Sequence, residues 1–366
     1  MYLKELNIIN FKNYEEAHIS FSPEINCLVG PNGCGKTNLL DAIHYLSMTR
    51  SAISSVESQN VKHGERFFMI LGFVDKKEKV TRIHAGYQQG KKSFSIDKKE
   101  YERLSEHIGK FPSVLIVPHD TDLVREGSEE RRKFFDSIIS QADAEYLQQL
   151  IRYNKLLKQR NSLLRQYHEY PLHLVDQDLF AVYDEPLSAL NVYIYEKRNS
   201  FIKAYNEQFQ HYYSFLTDNA EEVSLSYKSD VGKDDFLVQF KESFSKDIML
   251  QRTTKGIHKD DYDFKIQGYS LKKYGSQGQQ KSYVIALKLA QFELIKQLVS
   301  TKPVLLLDDI FDKLDDHRIQ KLLQLVADHQ FGQIFVTDAR EERTRQLLSI
   351  LDAEVKFLNV KDIKNN

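Results

Sequence analysis

The chain has 366 residues, of which 41% are hydrophobic and 28% charged, and its formal net charge is −1. Its length exceeds one ordinary domain of about 100–200 residues, and its composition excludes a disordered chain and a uniformly basic nucleic-acid binder. It lacks the ~18-residue apolar run of a membrane span, a signal peptide and enough cysteines for a disulfide framework or a multi-cysteine zinc site, since Cys27 and Cys34 are the only two. We therefore expect a cytoplasmic protein with no membrane partner.

The first ~135 residues predict mostly strands and turns. A short apolar run at residues 25–29 is typical of a buried strand, and apolar residues at helical spacing predict a helix over 36–47. The other strands predicted in this part cover residues 2–9, 16–21, 67–74, 80–87 and 91–96. We expect the last three to form an antiparallel meander.

Residues 129–213 are mostly helical in pattern. Residues that recur three or four apart predict the buried face of a long helix: Leu147, Leu150, Ile151, Asn154, Leu157, Asn161 and Leu164. Arg160 falls on the opposite, polar face. A second long helix begins near Gln177, with Pro186 in its first turn or at a kink. Two such helices joined by a short break predict an antiparallel hairpin.

The last third of the chain alternates strands and helices, which predicts a parallel sheet and an α/β fold. The predicted strands cover residues 222–227, 262–267, 303–307, 332–337 and 355–358. The predicted helices cover residues 234–247, 281–298, 315–329 and 341–351.

A phosphate-binding loop follows the strand at 25–29. Residues 30–37, GPNGCGKT, match G-x-x-x-x-G-K-[ST], with an apolar strand before them and an amphipathic helix after them. Backbone N–H groups and the helix N-terminus would hold an anion, Lys36 would reach the β- and γ-phosphates, and the Thr37 hydroxyl would bind Mg²⁺. The alternative is a glycine-rich turn that happens to precede a helix. Cys34 is a small loop residue or, less in keeping with the motif, a redox thiol.

A second chemical signal is the apolar strand at 303–307, which ends in Asp308 and Asp309. Ligands bind at the carboxyl ends of parallel strands, so Asp308 is placed to hold Mg²⁺ through water and Asp309 to orient the attacking water. The alternative is a solvated turn, which the phosphate loop makes less attractive.

A third signal is the stretch 275–280, GSQGQQ, which opens the predicted helix at 281–298. Ser276 and Gly278 would leave the helix N-terminus free for a second anion. The alternative is an ordinary serine cap.

These signals, with 312–315 and 334–338, occur in the order typical of ABC-type ATPases. Within them the chain resembles the SMC-like branch and, more closely, the RecF family. The stretches that carry the resemblance are LNIINFKNY (6–14), GPNGCGKTNLLDAIHYLS (30–47), VPHDTDLVREGSEERRKFFD (117–136), GIHKDDYDF (256–264), SQGQQKSYVIALKLAQ (276–291) and LLLDDIFDKLD (305–315). They run from end to end of the chain, and SQGQQ is more specific than the phosphate loop.

The resemblance implies a set of site residues. ATP and Mg²⁺ would be bound by Gly30, Pro31, Asn32, Gly33, Cys34, Gly35, Lys36, Thr37 and Asn38. Ser276, with Gly278 and Gln279, would act across a dimer on the partner's γ-phosphate. Asp308 would be the Mg²⁺ carboxylate and Asp309 the catalytic one. Lys12 and Asn13 would approach the nucleotide.

The sequence departs from the wider ABC pattern at several of these positions. Asp309 replaces a catalytic glutamate, and Thr337 or Asp338 stands where a switch histidine is usual. RecF-like proteins share both features, which predicts weak hydrolysis. Ile257 precedes His258 where proline is general, and His119 precedes Asp120 where glutamate is common, so the role of His119 is open.

The resemblance also implies a function. RecF-like proteins form ATP-dependent head-to-tail dimers, bind single- or double-stranded DNA and gap junctions, and act with RecO and RecR in recombinase loading, replication restart and the SOS response. The expected architecture is an ABC-type, SMC-like P-loop ATPase head with an antiparallel β subdomain and an inserted α-helical lobe. Residues 1–135 and 251–366 would form the head, and residues 136–250 the inserted lobe.

Two stretches are candidates for phosphate contacts with DNA. The first lies within 76–103 and includes Lys76, Lys77, Lys79, Arg82, Lys91, Lys92, Lys98, Lys99 and Arg103. The second is Arg131, Arg132 and Lys133. A solvated surface explains the first about equally well.

Two rival functions fit less well. A transporter ATPase subunit would show the switch histidine and no long helical insertion. A chromosome-structure clamp would need helical arms of hundreds of residues, because a helix rises only ~1.5 Å per residue.

Overall fold

The computed structural model describes residues 1–312 and 314–363, so Lys313, within the matched stretch 312–315, lies outside the described residues. The chain divides into two compact units. Unit 1 comprises Met1–Thr121, His211–Ala220 and the described residues from Gln277 onward. Unit 2 comprises Asp122–Gln210 and Glu221–Ser276. The lobe boundaries at 135 and 250 stay a prediction, and the compact units are cut at other positions.

The secondary-structure elements are numbered here in chain order. The strands are β1 (Tyr2–Phe11), β2 (Tyr14–Ser20), β3 (Ile25–Val29), β4 (Phe67–Lys76), β5 (Lys79–Gln88), β6 (Lys91–Ile96), β7 (Lys99–Glu100), β8 (Ser113–Ile116), β9 (Val223–Lys228), β10 (Asp261–Ile266), β11 (Tyr269–Ser270), β12 (Val304–Leu307), β13 (Ile334–Asp338) and β14 (Val355–Asn359). The helices are α1 (Lys36–Met48), α2 (Asp122–Arg125), α3 (Ser128–Ala142), α4 (Ala144–Tyr167), α5 (Asp178–Thr217), α6 (Phe236–Glu242), α7 (Phe244–Leu250), α8 (Leu271–Tyr274), α9 (Gln277–Val299), α10 (Asp316–Ala327), α11 (Glu341–Leu348) and α12 (Val360–Ile363). Among the described residues, no helix is both long enough and apolar enough to cross a membrane.

An antiparallel sheet of six strands supports the phosphate loop's helix in unit 1. Its strand order is β2-β1-β4-β5-β6-β7. Along β1, Leu6 and Ile8 are fully buried while the residue between them is partly exposed, the period-two pattern of a sheet with one face on a core. That face shares a hydrophobic core with Ile43 and Leu46 of α1.

A five-stranded parallel sheet, in the order β14-β3-β13-β12-β8, places the chemical residues of unit 1. All residues of β3, β12 and β13 are buried, as expected for strands covered on both faces. Because the strands are parallel, their carboxyl ends share one edge of the sheet. The loop after Val29 and the acids after Leu307 therefore meet at that edge.

Unit 2 contains the predicted antiparallel hairpin of long helices, α4 and α5. Arg160 contacts Asp184, 24 positions away, whereas Arg198 contacts Tyr146, 52 positions away, as happens when two helices run in opposite directions. Pro186 lies inside α5 rather than in its first turn. The three-stranded antiparallel sheet β11-β10-β9 belongs to the same unit.

The buried face of α4 differs from the prediction. Tyr146, Tyr153 and Arg160, spaced seven residues apart, are fully buried, whereas Ile151 is half exposed. The buried polar ends have partners: Tyr146 donates to Asp136, and the Arg160 guanidinium donates to two carboxylates and Thr253. The prediction that placed Arg160 opposite the buried face was wrong, because hydrophobic periodicity does not reveal a partner that is distant in sequence.

The fold class is confirmed, and the remaining differences are local. The strand β8 was not predicted, since four residues are too few to show a period. The predicted helix at 234–247 is divided at Ser243 into α6 and α7. The helix predicted from 281 begins at Gln277, so Gly278 and Gln279 lie in its first turn.

Candidate nucleotide-binding site

The phosphate loop is shaped by tight packing at Gly35. Its φ of +114° is rarely adopted by other residues, and a Cβ placed there would lie 2.6 Å from Asn13 Nδ2. The Asn13 amide donates to Cys34 O (3.3 Å) and accepts from Asn38 Nδ2 (2.8 Å). The Tyr14 hydroxyl donates to Gly35 O (3.0 Å). Asn13 and Asn38 therefore brace the loop from outside, a role that the sequence did not indicate.

Lys36 lies inside the loop it closes. Its side chain is buried, and Nζ donates to Gly30 O (2.8 Å) and Pro31 O (3.3 Å). A lysine ammonium has three hydrogens, so these two bonds leave one for a phosphate oxygen. The loop thus holds a positive charge at the N-terminus of α1, where backbone N–H groups also favour an anion.

Thr37 and Asp308 come together from α1 and the end of β12. Thr37 Oγ1 donates to the Asp308 carboxylate, at 2.9 Å from Oδ2 and 3.0 Å from Oδ1. Mg²⁺ prefers hard oxygen ligands and usually keeps several waters, and a hydroxyl beside a carboxylate at the mouth of a phosphate loop fits that preference. Thr37 and Asp308 are the residues that would hold the ion.

A single hydroxyl, that of Thr337, contacts both carboxylates of the acidic pair. Thr337 Oγ1 donates to Asp308 Oδ1 (2.8 Å), lies 3.4 Å from Asp309 Oδ1, and accepts from the Asp309 backbone N–H (2.8 Å). The backbone bond holds Asp309 at a φ of +45°. Asp338 instead accepts from Arg340 N and Thr344 Oγ1, both at 2.8 Å. Of the two residues considered for the switch position, Thr337 is the one that faces the acids.

Lys12 is engaged by a partner that the sequence analysis missed. Its Nζ lies 2.5 Å from Asp41 Oδ2, and Asp41 also accepts from Ser51 Oγ (2.6 Å) and Ala52 N (2.7 Å). Asp41 is a buried carboxylate within an otherwise apolar stretch of α1. A lone acid in such a stretch could have indicated that it needs a positively charged partner. A nucleotide contact by Lys12 stays a prediction.

Ser276 is exposed in the loop that precedes α9. Gly275 shapes this loop by close packing, because a Cβ there would lie 2.7 Å from Leu271 O. In the first turns of α9, Ser282 Oγ donates to Gly278 O (3.0 Å) and accepts from Arg318 Nε of α10 (2.5 Å). The roles of Ser276, Gly278 and Gln279 across a dimer stay predictions.

His119 and Asp120 have different environments. Asp120 forms an ion pair with Lys288 of α9 (2.8 Å) and accepts from Val117 N (2.7 Å), whereas His119 is exposed. Asp120 therefore anchors the segment after β8, and the role of His119 stays open.

The two basic stretches also differ. Strand pairing brings the β4–β5 and β6–β7 turns to the same end of the antiparallel sheet, where the exposed lysines are Lys76, Lys77, Lys79, Lys98 and Lys99. Arg131 instead binds Asp261 through Nε (2.7 Å) and Nη2 (3.1 Å), and Arg132 donates to Asp260 O (2.6 Å). Internal pairing in unit 2 thus accounts for these two arginines, and the sheet end remains the better DNA candidate.

The GIHKDDYDF stretch contributes to a buried polar network in unit 2. His258 Nδ1 accepts from Tyr153 (2.7 Å) and its Nε2 donates to Thr253 O (3.0 Å). Burial lowers the pKa of His258 to about 4. His258 is therefore a neutral structural residue near neutral pH.

Comparison with known proteins agrees with this geometry. The family model described as the RecF/RecN/SMC N terminal domain matches residues 2–359. A relative from Cytophaga hutchinsonii (strain ATCC 33406), named DNA replication and repair protein RecF, is 48% identical over 94% of this chain and 91% of its own. The chain belongs to the RecF family. This is a family of ABC-type ATPases.

Solved structures with a similar fold include a RecF protein and an Smc head domain. The recombination mediator protein RecF–ATP of the RecFOR pathway superposes with a TM-score of 0.87 at 30% identity, covering 98% of this chain and 96% of the other. An Smc head domain from Pyrococcus furiosus, with an extended coiled coil, gives a TM-score of 0.55 at 16% identity over 99% and 94% of the two chains. The second likeness concerns the fold alone.

Proposed function

We propose that this protein is an ATP-dependent DNA-binding switch of recombinational repair and replication restart, acting in the cytoplasm. The observation that carries the proposal is the contact between Thr37 and Asp308, which joins the phosphate loop to the acidic strand end. The 48% identity to a protein named for DNA replication and repair supports the process.

Within one chain, different residues bind the phosphates, hold Mg²⁺ and position the attacking water. Lys36 and the loop N–H groups hold the phosphates, and Thr37 and Asp308 hold Mg²⁺, which neutralises phosphate charge when it is bound. Asp309 orients the attacking water. Its side chain is one methylene shorter than glutamate, and Thr337 stands where a histidine would bind the γ-phosphate, so hydrolysis is slow and resets the switch.

A second chain completes the site. Ser276 and the N-terminus of α9 from one protomer face the γ-phosphate held by the other, because a helix N-terminus favours an anion. This requires a head-to-tail arrangement. Exposed Ser276 at the start of α9 is compatible with it.

DNA binding follows from dimerisation in this proposal. The exposed lysines at the end of the antiparallel sheet supply sequence-independent phosphate contacts, duplicated in the dimer. Single-strand gaps are the target, with RecO- and RecR-type mediators as partners in recombinase loading and the SOS response. The relative solved in the RecFOR pathway supports these partners.

Analytical sedimentation of the whole chain tests the proposal. With ATP and Mg²⁺ we expect a dimer, and without ATP a monomer. Labelled gapped, duplex and single-stranded DNA should co-sediment more strongly with ATP, and the binding should weaken with salt. A chain that stays monomeric with ATP and binds DNA equally in both states would overturn the proposal.

Ser276→Arg should block dimerisation and spare ATP binding, because a large cation would occupy the place of the partner's γ-phosphate contact. Equilibrium binding of a fluorescent ATP analogue measures the first step and sedimentation the second. Ser300→Arg, at the exposed residue that follows the C-terminal end of α9, is the matched control and should dimerise normally. A Ser276→Arg chain that dimerises like the control would contradict the trans arrangement.

A further inference from the structure

Two exposed tyrosines lie just ahead of the Ser276 loop. Tyr269 is 65% exposed and Tyr274 69% exposed, and their rings meet edge to face with centroids 5.6 Å apart. Each ring keeps most of its apolar surface in water. Large aromatic side chains usually bury such surface, so a paired and exposed arrangement requires an explanation.

The backbone beneath the rings is firmly held. Tyr269 belongs to β11, which pairs with β10, and Tyr274 ends α8, whose first residue, Leu271, is fully buried. Gly275 N donates to Leu271 O (3.0 Å), and the close packing of Gly275 on the same carbonyl leaves no room for a Cβ. The two rings and the Ser276 loop are thus held by the same two short elements, β11 and α8.

The segment between the two tyrosines is also basic. Lys272 and Lys273, between the two tyrosines in sequence, are exposed, and so is Ser276. We call Tyr269, Lys272, Lys273, Tyr274 and Ser276 the signature-edge surface. It combines two tyrosines, a residue type enriched in interface cores, with a polar margin like the rim of an interface.

We propose that the signature-edge surface docks on the phosphate-loop face of a second copy of this chain, with the tyrosine pair as the apolar anchor of the dimer. The inference rests on the head-to-tail dimer proposed above and names residues that the dimer needs besides Ser276. The lysines complement the receiving face, where the partly exposed Asp309 lies and where a bound triphosphate would add negative charge.

The short distance between Tyr274 and Ser276 places the tyrosine pair within the proposed dimer interface. Tyr274 is two residues from Ser276, so their Cα atoms are at most ~7 Å apart. A stable interface covers about 800 Å² on each partner, which corresponds to a patch with a radius of roughly 16 Å. If Ser276 meets the partner's nucleotide, the Tyr274 ring, and with it Tyr269, falls inside that patch.

Tyrosine and lysine together could instead stack on and neutralise single-stranded DNA. The proximity of Tyr274 to Ser276 favours the second copy, because a surface around that loop is covered when the dimer forms. The two occupants give different results when dimerisation is measured without DNA.

The test is sedimentation of the double variant Tyr269→Ser/Tyr274→Ser with ATP and Mg²⁺ and without DNA. We expect its dimer dissociation constant to rise at least tenfold, because interface tyrosines often contribute 2 kcal/mol or more, about thirtyfold. Binding of a fluorescent ATP analogue to the monomer should be unchanged, which also shows that the chain is folded. Tyr274→Phe, which keeps the ring, should dimerise normally.

Tyr170→Ser, at a tyrosine of unit 2 that is 55% exposed, is the matched control and should behave like the unaltered chain. If the double variant dimerises like this control, the inference is overturned while the proposed function stands. If it dimerises normally but loses DNA affinity, the surface serves DNA, which also overturns the inference. If the unaltered chain itself does not dimerise with ATP, the proposed function and the inference fail together.

Discussion

Lys36→Arg should reduce ATP hydrolysis by about 100- to 1,000-fold, the loss seen when one preorganised donor to transition-state charge is removed. Lys36 is only 4% exposed, and its ammonium donates to two carbonyls, Gly30 O and Pro31 O. A guanidinium keeps the charge but is larger and planar, so it cannot occupy the same position. ATP binding should be partly retained, because the loop N–H groups and Thr37 remain. Phosphate release and equilibrium nucleotide binding separate the two effects.

A matched lysine exists at the opposite end of the parallel sheet. Lys302 precedes β12, and its Nζ donates to His329 O (2.6 Å) and Phe331 O (3.2 Å). Lys302→Arg makes the same chemical change beside two carbonyls, away from the phosphate loop, and should leave hydrolysis near normal. Full activity in the Lys36→Arg chain would show that ATP is hydrolysed elsewhere.

Asp247→Ala should destabilise unit 2 by about 3 kcal/mol, because it removes one of the two carboxylates bound to the buried Arg160 guanidinium, whose Nε keeps its bond to Asp184. Arg160 and Asp247 are both fully buried, with Arg160 Nη1 2.7 Å from Asp247 Oδ2. Asp247 also accepts from Thr254 N (2.9 Å) and Thr254 Oγ1 (2.6 Å), so its loss leaves several donors unpaired.

Urea unfolding followed by circular dichroism at 222 nm measures this change, since the chain has no tryptophan. Asp230→Ala removes an acid from an exposed ion pair with Lys233 in the same unit and should hardly move the midpoint. Equal midpoints for the two variants would mean that Asp184 alone is enough to compensate the buried Arg160 charge.

The phosphate loop could be found from sequence because its chemistry is encoded in eight consecutive residues between a strand and a helix. Asp308 could be placed because parallel strands deliver their carboxyl ends to one edge. The sequence could not show which of Thr337 and Asp338 contacts the two acids. The two residues are adjacent on β13, and only the directions of their side chains differ.

The partners of buried polar groups could not be predicted from the sequence. Arg160 was placed on the polar face of α4, yet its acids lie 24 and 87 positions away. Asp41, the buried partner of Lys12, was not predicted either. Periodicity describes how a residue sits on its own helix or strand, whereas these pairs depend on how distant segments come together.

The parallel sheet has a consequence for the order in which the chain can fold. Ile25 of β3 pairs with Ile334 of β13 on one side and with Val355 of β14 on the other. At a synthesis rate of about 5–20 residues per second, β3 waits roughly 15–60 seconds for its first parallel neighbour to be made. During that time the backbone N–H and C=O groups along both of its edges have no native strand to pair with. The strand before the phosphate loop is therefore made early and paired late, so a ribosome-bound chain ending before residue 330 should be unable to assemble the ATP site.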